Sequence, residues 1–381
     1  MIEAQTISPR TRPTNSKRLV HIRELDGLRG IAALMVFFHH VCYTSIDPTQ
    51  WGSGVRLLYR LSEFGSYGVD VFFVLSGFLI TSLLIEDRAN PAFYRNFYWK
   101  RALRILPLYA VCLIAIALLV PAARSYVLLC VFFISNFASW FHVYSNGPFW
   151  SLAIEEQFYL LWPTVVRKRT IAQLSRWTLG IAIGSILLRL VAASFGHHNY
   201  YLTFLHCDGL ALGAYLACRR EGRSQNSPGR MRATLLSLLL ASAILLVAAS
   251  KLPLGNPILQ ALSADAIQTA LTLLSIVLLG HLITHSGSPH LAIFRSGPLP
   301  FLGLISYAVY MIHLYVMRTY DHLFGSLPHG ILSAYLIRFF VIAGITLGFS
   351  LASRYLIELP ATSLRKYVLK RPTSTQITPQ G

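Results

Sequence analysis

Long apolar stretches, separated by short polar connections, follow one another along almost the whole chain. A helix that crosses a membrane needs about 20 mostly apolar residues, and the sequence has room for about ten such helices. The predicted spans are 28–45, 68–85, 105–120, 148–166, 177–195, 202–218, 233–250, 264–284, 300–319 and 332–357. The pattern therefore predicts an all-α, polytopic transmembrane helix bundle. We expect a membrane domain at 19–368 between a disordered N-terminal tail, 1–18, and a C-terminal tail, 369–381.

Composition agrees with this pattern. Hydrophobic residues make up 54% of the chain and charged residues only 13%, against roughly 25% charged in soluble domains. The net charge of +18 would suggest nucleic acid in a soluble protein. In a membrane protein, however, basic residues collect in cytoplasmic loops. We therefore expect a lipid bilayer and no nucleic acid as a partner.

The basic residues also predict the topology. Most of the 33 Lys and Arg residues precede the first span or lie in alternate connections after it. Placing these segments in the cytoplasm puts both termini there. The assignment works only if an ambiguous apolar stretch, 125–141, does not cross fully, so we predict a re-entrant or partly buried segment there. The expected location is the plasma (inner) membrane, multi-pass.

The first span carries costly ionisable residues. Arg29 and His40 are eleven residues apart, so at about 100° per residue they share one helix face, separated axially by about 16 Å. A neutral imidazole in a dry pocket can take a proton from a hydroxyl, and Arg29 can hold a phosphate or pair with Asp26. The alternative is that His40 only hydrogen-bonds to another helix.

Two further segments are candidates for the site. Arg101 and Arg104 lie three residues apart at the cytoplasmic mouth of the third span, where two guanidinium forks suit a phosphorylated ligand. Their spacing alone favours ordinary positive-inside charge. Glu155 lies in an aromatic stretch, where a carboxylate can orient a histidine or remain a protonated donor. Alternatively, Glu155 lies in the lipid headgroup layer, beside an aromatic belt.

Ser306, Tyr310 and His313 fall at i, i+4 and i+7, which is one stripe of a helix. The stripe either lines a polar cavity or joins helices by hydrogen bonds. The sequence shows no cluster with metal-ligand spacing, so we expect no metal and no permanently bound cofactor.

Six motifs, in order along nearly the whole chain, resemble the acyltransferase-3 family of membrane proteins, which O-acylate glycans and related acceptors. The matching motifs are Leu25 to His40, Gly68 to Ile80, Arg101 to Arg104, Trp150 to Tyr159, Ser306 to His313, and Glu358-Leu359-Pro360.

The resemblance implies that Arg29 and His40 are essential for transfer. It also implies that Arg101 and Arg104 serve the acyl donor, usually acetyl-CoA, as a co-substrate. The acceptor would be a carbohydrate or a lipid-linked sugar. Some members carry a C-terminal esterase-like domain, which we expect this chain to lack. One departure is that a histidine and a cysteine precede Asp208, where the family often carries an arginine.

The expected mechanism divides the site in two. Arg residues near the cytoplasm hold the acyl-CoA, and His40 deprotonates the acceptor or carries the acyl group briefly. Glu155 or Asp70 would orient its imidazole. We assign Asp70, Ser306, Tyr310 and His313 to substrate binding.

Two rival functions remain open. A transporter or flippase of a lipid-linked glycan could use the same buried Arg and His to bind its passenger or relay protons. A structural membrane subunit would tolerate replacement of both. Consumption of acyl-CoA distinguishes the enzyme from either rival.

Overall fold

The computed structural model describes residues 22–43, 53–145, 147–195, 201–221, 228–253, 255–325 and 332–368. The predicted tails, 1–18 and 369–381, lie outside these residues. In chain order the α-helices are α1 Arg23–Phe38, α2 Ser53–Glu63, α3 Gly68–Glu86, α4 Phe93–Leu119, α5 Arg124–Val131, α6 Phe149–Lys168, α7 Ile171–Ser194, α8 Thr203–His206, α9 Asp208–Glu221, α10 Pro228–Ser250, α11 Pro257–Thr284, α12 Ala292–Arg295, α13 Pro298–Phe324, α14 Leu332–Ser353, α15 Leu359–Ser363 and α16 Arg365–Val368.

Shorter turns complete the architecture. The π-helical turns are His39–Tyr43, which continues α1, and Arg354–Glu358, which continues α14. The 3₁₀ turns are Phe64–Tyr67, Pro121–Ala123, Ser135–Phe141 and Pro289–Leu291. The described ranges contain no β-strand, which confirms the all-α prediction.

Eight of the described helices are long and apolar enough to cross a membrane, or nine if one bent pair is counted as a span. Their outer faces are apolar and uncovered. On α10, for example, Leu240, Ile244 and Val247 are about 60% exposed. Apolar side chains left open along a whole helix need a lipid environment. A multi-pass membrane protein follows from these faces.

The sequence predicts about ten spans. Two of these, 148–166 and 202–218, are not among the eight helices that could cross a membrane. α6 has 20 residues, but Glu155 and Glu156 make it less apolar than the others. The predicted span 202–218 is broken at Cys207 into α8 and α9, and α9 has only 14 residues. A helix of that length does not span the hydrocarbon core at 1.5 Å per residue.

The ambiguous segment 125–141 is sharply bent. Pro121–Val131 and Ser135–Phe141 meet at 119°, with Phe133 between them in the left-handed region at φ 55°. The Gln157 side chain of α6 donates to Phe133 O at 2.7 Å and to Asn136 Oδ1 at 2.9 Å, which pairs backbone exposed by the bend. A broken span and a re-entrant loop share this geometry, so re-entrance and the cytoplasmic termini remain predictions.

α1 packs closely against α13. A Cβ atom added at Gly303 would lie 1.9 Å from Asp26 O, and one added at Gly30 would lie 2.2 Å from Leu299 O. Small residues at membrane helix contacts allow such close backbone approach. These glycines therefore set the register of the two helices that carry most of the candidate site.

Candidate active site

A small cavity lies where α1, α3, α4, α6 and α13 meet. Its free volume is about 100 Å³, and we call it the central chamber. The side chains in its polar lining are Arg29, Ser76, Arg101, Arg104, Ser151, Glu155, Tyr159, Ser306, Tyr307 and Tyr310. Six of them are candidates from the sequence, and the others are hydroxyl side chains. The fold therefore brings six of the ten candidate side chains, from four helices, to one space.

Glu155 is held in the wall of the chamber. Its carboxylate accepts hydrogen bonds from the Ser76 hydroxyl at 2.9 Å and the Tyr159 hydroxyl at 3.0 Å. The guanidinium of Arg101 lies 3.8 Å from the centre of the Tyr159 ring, a cation–π contact. Glu155 thus takes part in the arginine side of the site. This differs from the expectation that it orients the imidazole of His40.

The imidazole of His40 instead meets a second imidazole. Nδ1 of His40 is 3.2 Å from Nε2 of His313 and 2.9 Å from Val36 O, and Nδ1 of His313 is 2.9 Å from Val309 O. Because a carbonyl oxygen only accepts, these contacts assign the hydrogen of each neutral ring to Nδ1. The lone pair of His40 then lies on Nε2, which makes Nε2 its basic atom.

Tyr310 connects the chamber to the histidine pair. Its ring centre is 6.1 Å from that of His313 and 6.1 Å from that of Phe72 in the chamber wall, and its hydroxyl is hydrogen-bonded to Ser151. Each of the two interpretations of the stripe on α13 therefore holds for some of its residues. Ser306 and Tyr310 line a polar cavity, whereas His313 joins two helices.

Arg29 lines the chamber at the end away from the histidine pair, and Asp26 lies beside Arg29 but outside the chamber. Nη1 of Arg29 is 3.5 Å from Oδ1 of Asp26. Both residues also line a second, larger cavity of about 430 Å³. Asp26 therefore partly offsets the charge of Arg29, eleven residues or more along α1 from the histidine pair.

Asp70 lies away from the chamber, although it is a candidate for substrate binding. It is fully buried, and its Oδ1 lies 3.0 Å from His206 Nε2 and accepts from the Thr272 hydroxyl at 3.2 Å. The His206 ring packs edge-on against Phe73, with ring centres 5.2 Å apart, and Phe73 lines the chamber. Asp70 thus supports the chamber wall from behind.

Arg189 explains the departure at Asp208. Its buried guanidinium donates to Asp208 Oδ2 at 3.0 Å, to Leu205 O at 2.7 Å and to Thr269 Oγ1 at 2.8 Å. An arginine of α7, 19 residues before the acid and not directly in front of it, therefore pairs with this carboxylate. Arg189 was not among the residues predicted from the sequence, although an arginine inside an apolar helix is itself a signal.

Arg338 is a second buried arginine that was not predicted from the sequence as part of the site. Nη1 donates to Val41 O at 2.9 Å, and Nε and Nη2 donate to the two Asp321 oxygens at 2.8 Å each. Val41 follows His40 on the π-helical turn, and Asp321 shares α13 with His313. This buried guanidinium of α14 thus joins the two elements that carry the histidine pair.

The groups suited to an anionic ligand are the arginines that line the two cavities. Within the ranges that the structure describes, no three or more His, Cys, Asp or Glu side chains form a group that could hold a metal ion.

Comparison with known proteins identifies the class. The acyltransferase-3 family model, described as an acyltransferase domain, matches residues 22–355, so the chain belongs to this family. Two relatives named O-acetyltransferase OatA, from Staphylococcus aureus strains NCTC 8325 / PS 47 and COL, are each 31% identical to it over 222 residues. That match covers 51% of this chain and 34% of each relative. The chain thus spans about a third of the length of these relatives. No solved structure matches it significantly.

Proposed function

We propose that this protein is a membrane O-acyltransferase that moves an acetyl group from cytoplasmic acetyl-CoA to a hydroxyl of a cell-envelope or exported carbohydrate. Membership of the acyltransferase family supports acyl transfer, and the names of the relatives support acetyl transfer to oxygen. The observation that carries the proposal is the His40–His313 pair beside an arginine-lined chamber. Transfer from a phosphorylated thioester to a hydroxyl requires a base next to an anion-binding site.

In the proposed reaction, His40 Nε2 takes the proton of the acceptor hydroxyl as its oxygen attacks the thioester carbonyl. The C–O bond forms, and collapse of the tetrahedral intermediate breaks the C–S bond. The proton on Nε2 passes to the departing sulfur, so CoA leaves as the free thiol and His40 returns to its neutral form. Throughout, the single Nδ1 hydrogen of His40 is shared between Val36 O and His313 Nε2, and these contacts orient the ring and stabilise the imidazolium.

A covalent route uses the same atom differently. Nε2 itself would attack the thioester carbonyl, and the C–S bond would break so that CoA leaves as the thiolate. The acyl-histidine would then pass the acetyl group to the acceptor oxygen, which frees Nε2, and the proton of the acceptor hydroxyl would go to the CoA thiolate. Radiolabelled acetyl that remains on acid-quenched protein in the absence of acceptor would identify this route. Direct transfer predicts no label on the protein.

The test measures free thiol released from acetyl-CoA by protein in nanodiscs, with a cell-envelope carbohydrate fraction as acceptor. We expect release by wild type and a loss of about 10²- to 10⁴-fold in His40→Ala, the usual contribution of a general base. His39→Ala is the matched control, because His39 shares the π-helical turn but its Nδ1 contacts Ser62 O, at 3.1 Å. This control should keep most of the activity.

Two outcomes would contradict the proposal. Equal losses in the two histidine variants would indicate damage to the turn and not missing chemistry. Folded wild-type protein that releases no thiol from acetyl-CoA or from longer acyl-CoAs would favour transport of a lipid-linked glycan instead.

A further inference from the structure

The larger cavity adjoins the central chamber at the end of the bundle where α1 begins. It has about 430 Å³ of free volume, and we call it the inner vestibule. Its charged lining is Asp26, Arg29, Arg104, Arg354, Glu358 and Arg365. Arg29 and Arg104 also line the chamber, so the two cavities are neighbours that share part of their walls.

The charges in the vestibule are unbalanced. Of its four arginines, Arg29 lies 3.5 Å from Asp26, and Arg354 lies 3.7 Å from Glu358. For Arg104 and Arg365 the described part of the chain provides no carboxylate oxygen within 4.0 Å. Two positive charges are therefore in excess at one cavity. Such an excess is costly inside a membrane protein and suits an anionic ligand.

Hydrogen-bond donors are also left over at this cavity. Nη2 of Arg365 donates to Lys100 O at 3.3 Å, which ties the C-terminal segment to α4. Its Nε is buried and, among the described residues, has no acceptor, and the same holds for Nε of Arg101 in the chamber. Buried donors without acceptors are unfavourable. An anion rich in oxygen atoms would supply the acceptors.

The C-terminal side of the vestibule is built on the π-helical turn Arg354–Glu358. Single π-helical turns within helices are frequent at functional sites. Glu358 accepts a hydrogen bond from Ser353 at 3.3 Å, and its carbonyl accepts from Thr362 at 2.8 Å. The turn therefore directs Arg354 and Glu358 to the same cavity. It also places the Glu358-Leu359-Pro360 motif, which has no role in the proposed transfer chemistry, at the wall of the vestibule.

We propose that the inner vestibule binds the phosphates of the donor nucleotide, with Arg354 and Arg365 as contacts additional to Arg104. The inference rests on the proposed function, since it takes acyl-CoA as the donor. A guanidinium pairs with phosphate in a planar, bidentate geometry. Several arginines around one cavity match a ligand that carries both a diphosphate and a separate phosphate.

The sizes of the two cavities agree with this division. Pockets for small molecules and cofactors are roughly 300–1,000 Å³, and the vestibule, at about 430 Å³, falls within that range. The chamber, at about 100 Å³, admits only the end of a ligand. The nucleotide would occupy the vestibule, and the acyl arm would pass Arg29 and Arg104 so that the thioester enters the chamber.

The test compares two donors with the same thioester and arm, acetyl-CoA and S-acetylpantetheine, of which only the first carries the nucleotide. In Arg365→Gln and Arg354→Gln we expect the KM for acetyl-CoA to rise roughly 10- to 100-fold, as for loss of a charged hydrogen bond. The KM for S-acetylpantetheine and the kcat for both donors should not change. Arg95→Gln, an exposed arginine on α4, is the matched control and should match wild type with both donors.

Equal rises in KM for the two donors, or no rise for acetyl-CoA, would overturn the inference. An anionic lipid headgroup offers the same phosphate chemistry, so the assays are run in nanodiscs of neutral lipid and of anionic lipid. A defect confined to anionic lipid would assign the vestibule to the headgroup and refute the nucleotide site.

A binding measurement separates this inference from the proposed function. Adenosine 3′,5′-bisphosphate is titrated into purified protein by calorimetry, without acceptor or turnover. Binding by wild type and Arg95→Gln that is weakened in Arg365→Gln supports the vestibule even if no thiol is ever released. Equal binding by all three proteins refutes it, even if acetyl transfer is demonstrated.

Discussion

Replacement of Arg338 by methionine separates the stability of the bundle from the placement of its proposed base. Arg338 is 2% exposed and donates three hydrogen bonds, two of them to the Asp321 carboxylate. Methionine can donate none of them. Breaking a buried ion pair by removing one partner costs about 3–5 kcal/mol. The Asp321 side chain is 41% exposed, so water replaces part of what is lost. We therefore expect Arg338→Met to lose about 2–3 kcal/mol of unfolding free energy.

The double variant Arg338→Met with Asp321→Leu isolates the third bond, to Val41 O. Replacing both members of a buried pair by apolar side chains is often close to neutral, so most of the stability should return. The carbonyl after His40 still lacks its donor, however, and a base displaced by about 1 Å can lose about 10²-fold in rate. We expect kcat to stay roughly 10- to 100-fold low, while the KM for acetyl-CoA is unchanged.

The two quantities are read from thermal unfolding followed by tryptophan fluorescence and from steady-state thiol release. Arg338→Lys is the intermediate case, because an ammonium can replace one of the two contacts but not the planar fork. A double variant that regains both the stability and the kcat of wild type would refute the reasoning. The bond to Val41 would then have no part in positioning His40.

Three further predictions concern other contacts. Gly303→Ala places a Cβ 1.9 Å from Asp26 O and should lower the unfolding free energy by about 1–3 kcal/mol, measured by thermal unfolding; an unchanged melting temperature would contradict the close packing. His313→Ala removes one of the two acceptors of the Nδ1 hydrogen of His40, so kcat should fall about 10- to 100-fold at constant KM, and a pure KM effect would assign His313 to binding instead. Arg189→Met leaves Asp208 buried without its partner and should cost about 3–5 kcal/mol while thiol release per folded molecule stays at the wild-type rate; a specific loss of kcat would place this cluster in the reaction.

The sequence predicts the parts of the site that depend on helix periodicity. Helical spacing placed Ser306, Tyr310 and His313 on one stripe, and Arg101 and Arg104 on one face, because positions within a helix follow from its geometry. The contact between His40 and His313 joins residues 273 apart in the chain. It depends on how α1 packs against α13, which no local pattern contains.

The predictions that were incomplete or wrong concern buried charged residues. Arg189 and Arg338 were treated as parts of apolar spans, although a charge that cannot reach water needs a buried partner. Asp70 was assigned to the orientation of His40 and to substrate binding, whereas in the structure it contacts His206, behind the chamber wall. Composition identifies buried charges. Only the tertiary structure shows whether such a charge faces a ligand or another part of the protein.

The backbone-to-backbone packing of α1 against α13 has a consequence for how the protein responds to its lipids. Membranes differ in thickness, and helices adjust to hydrophobic mismatch by tilting. α10, whose apolar window is only 11% buried, faces lipid over most of its surface and packs mainly against α11. α1 and α13, held together at Gly30 and Gly303, must tilt as a pair. We therefore expect the separation of the two imidazoles to change little between membranes of different thickness.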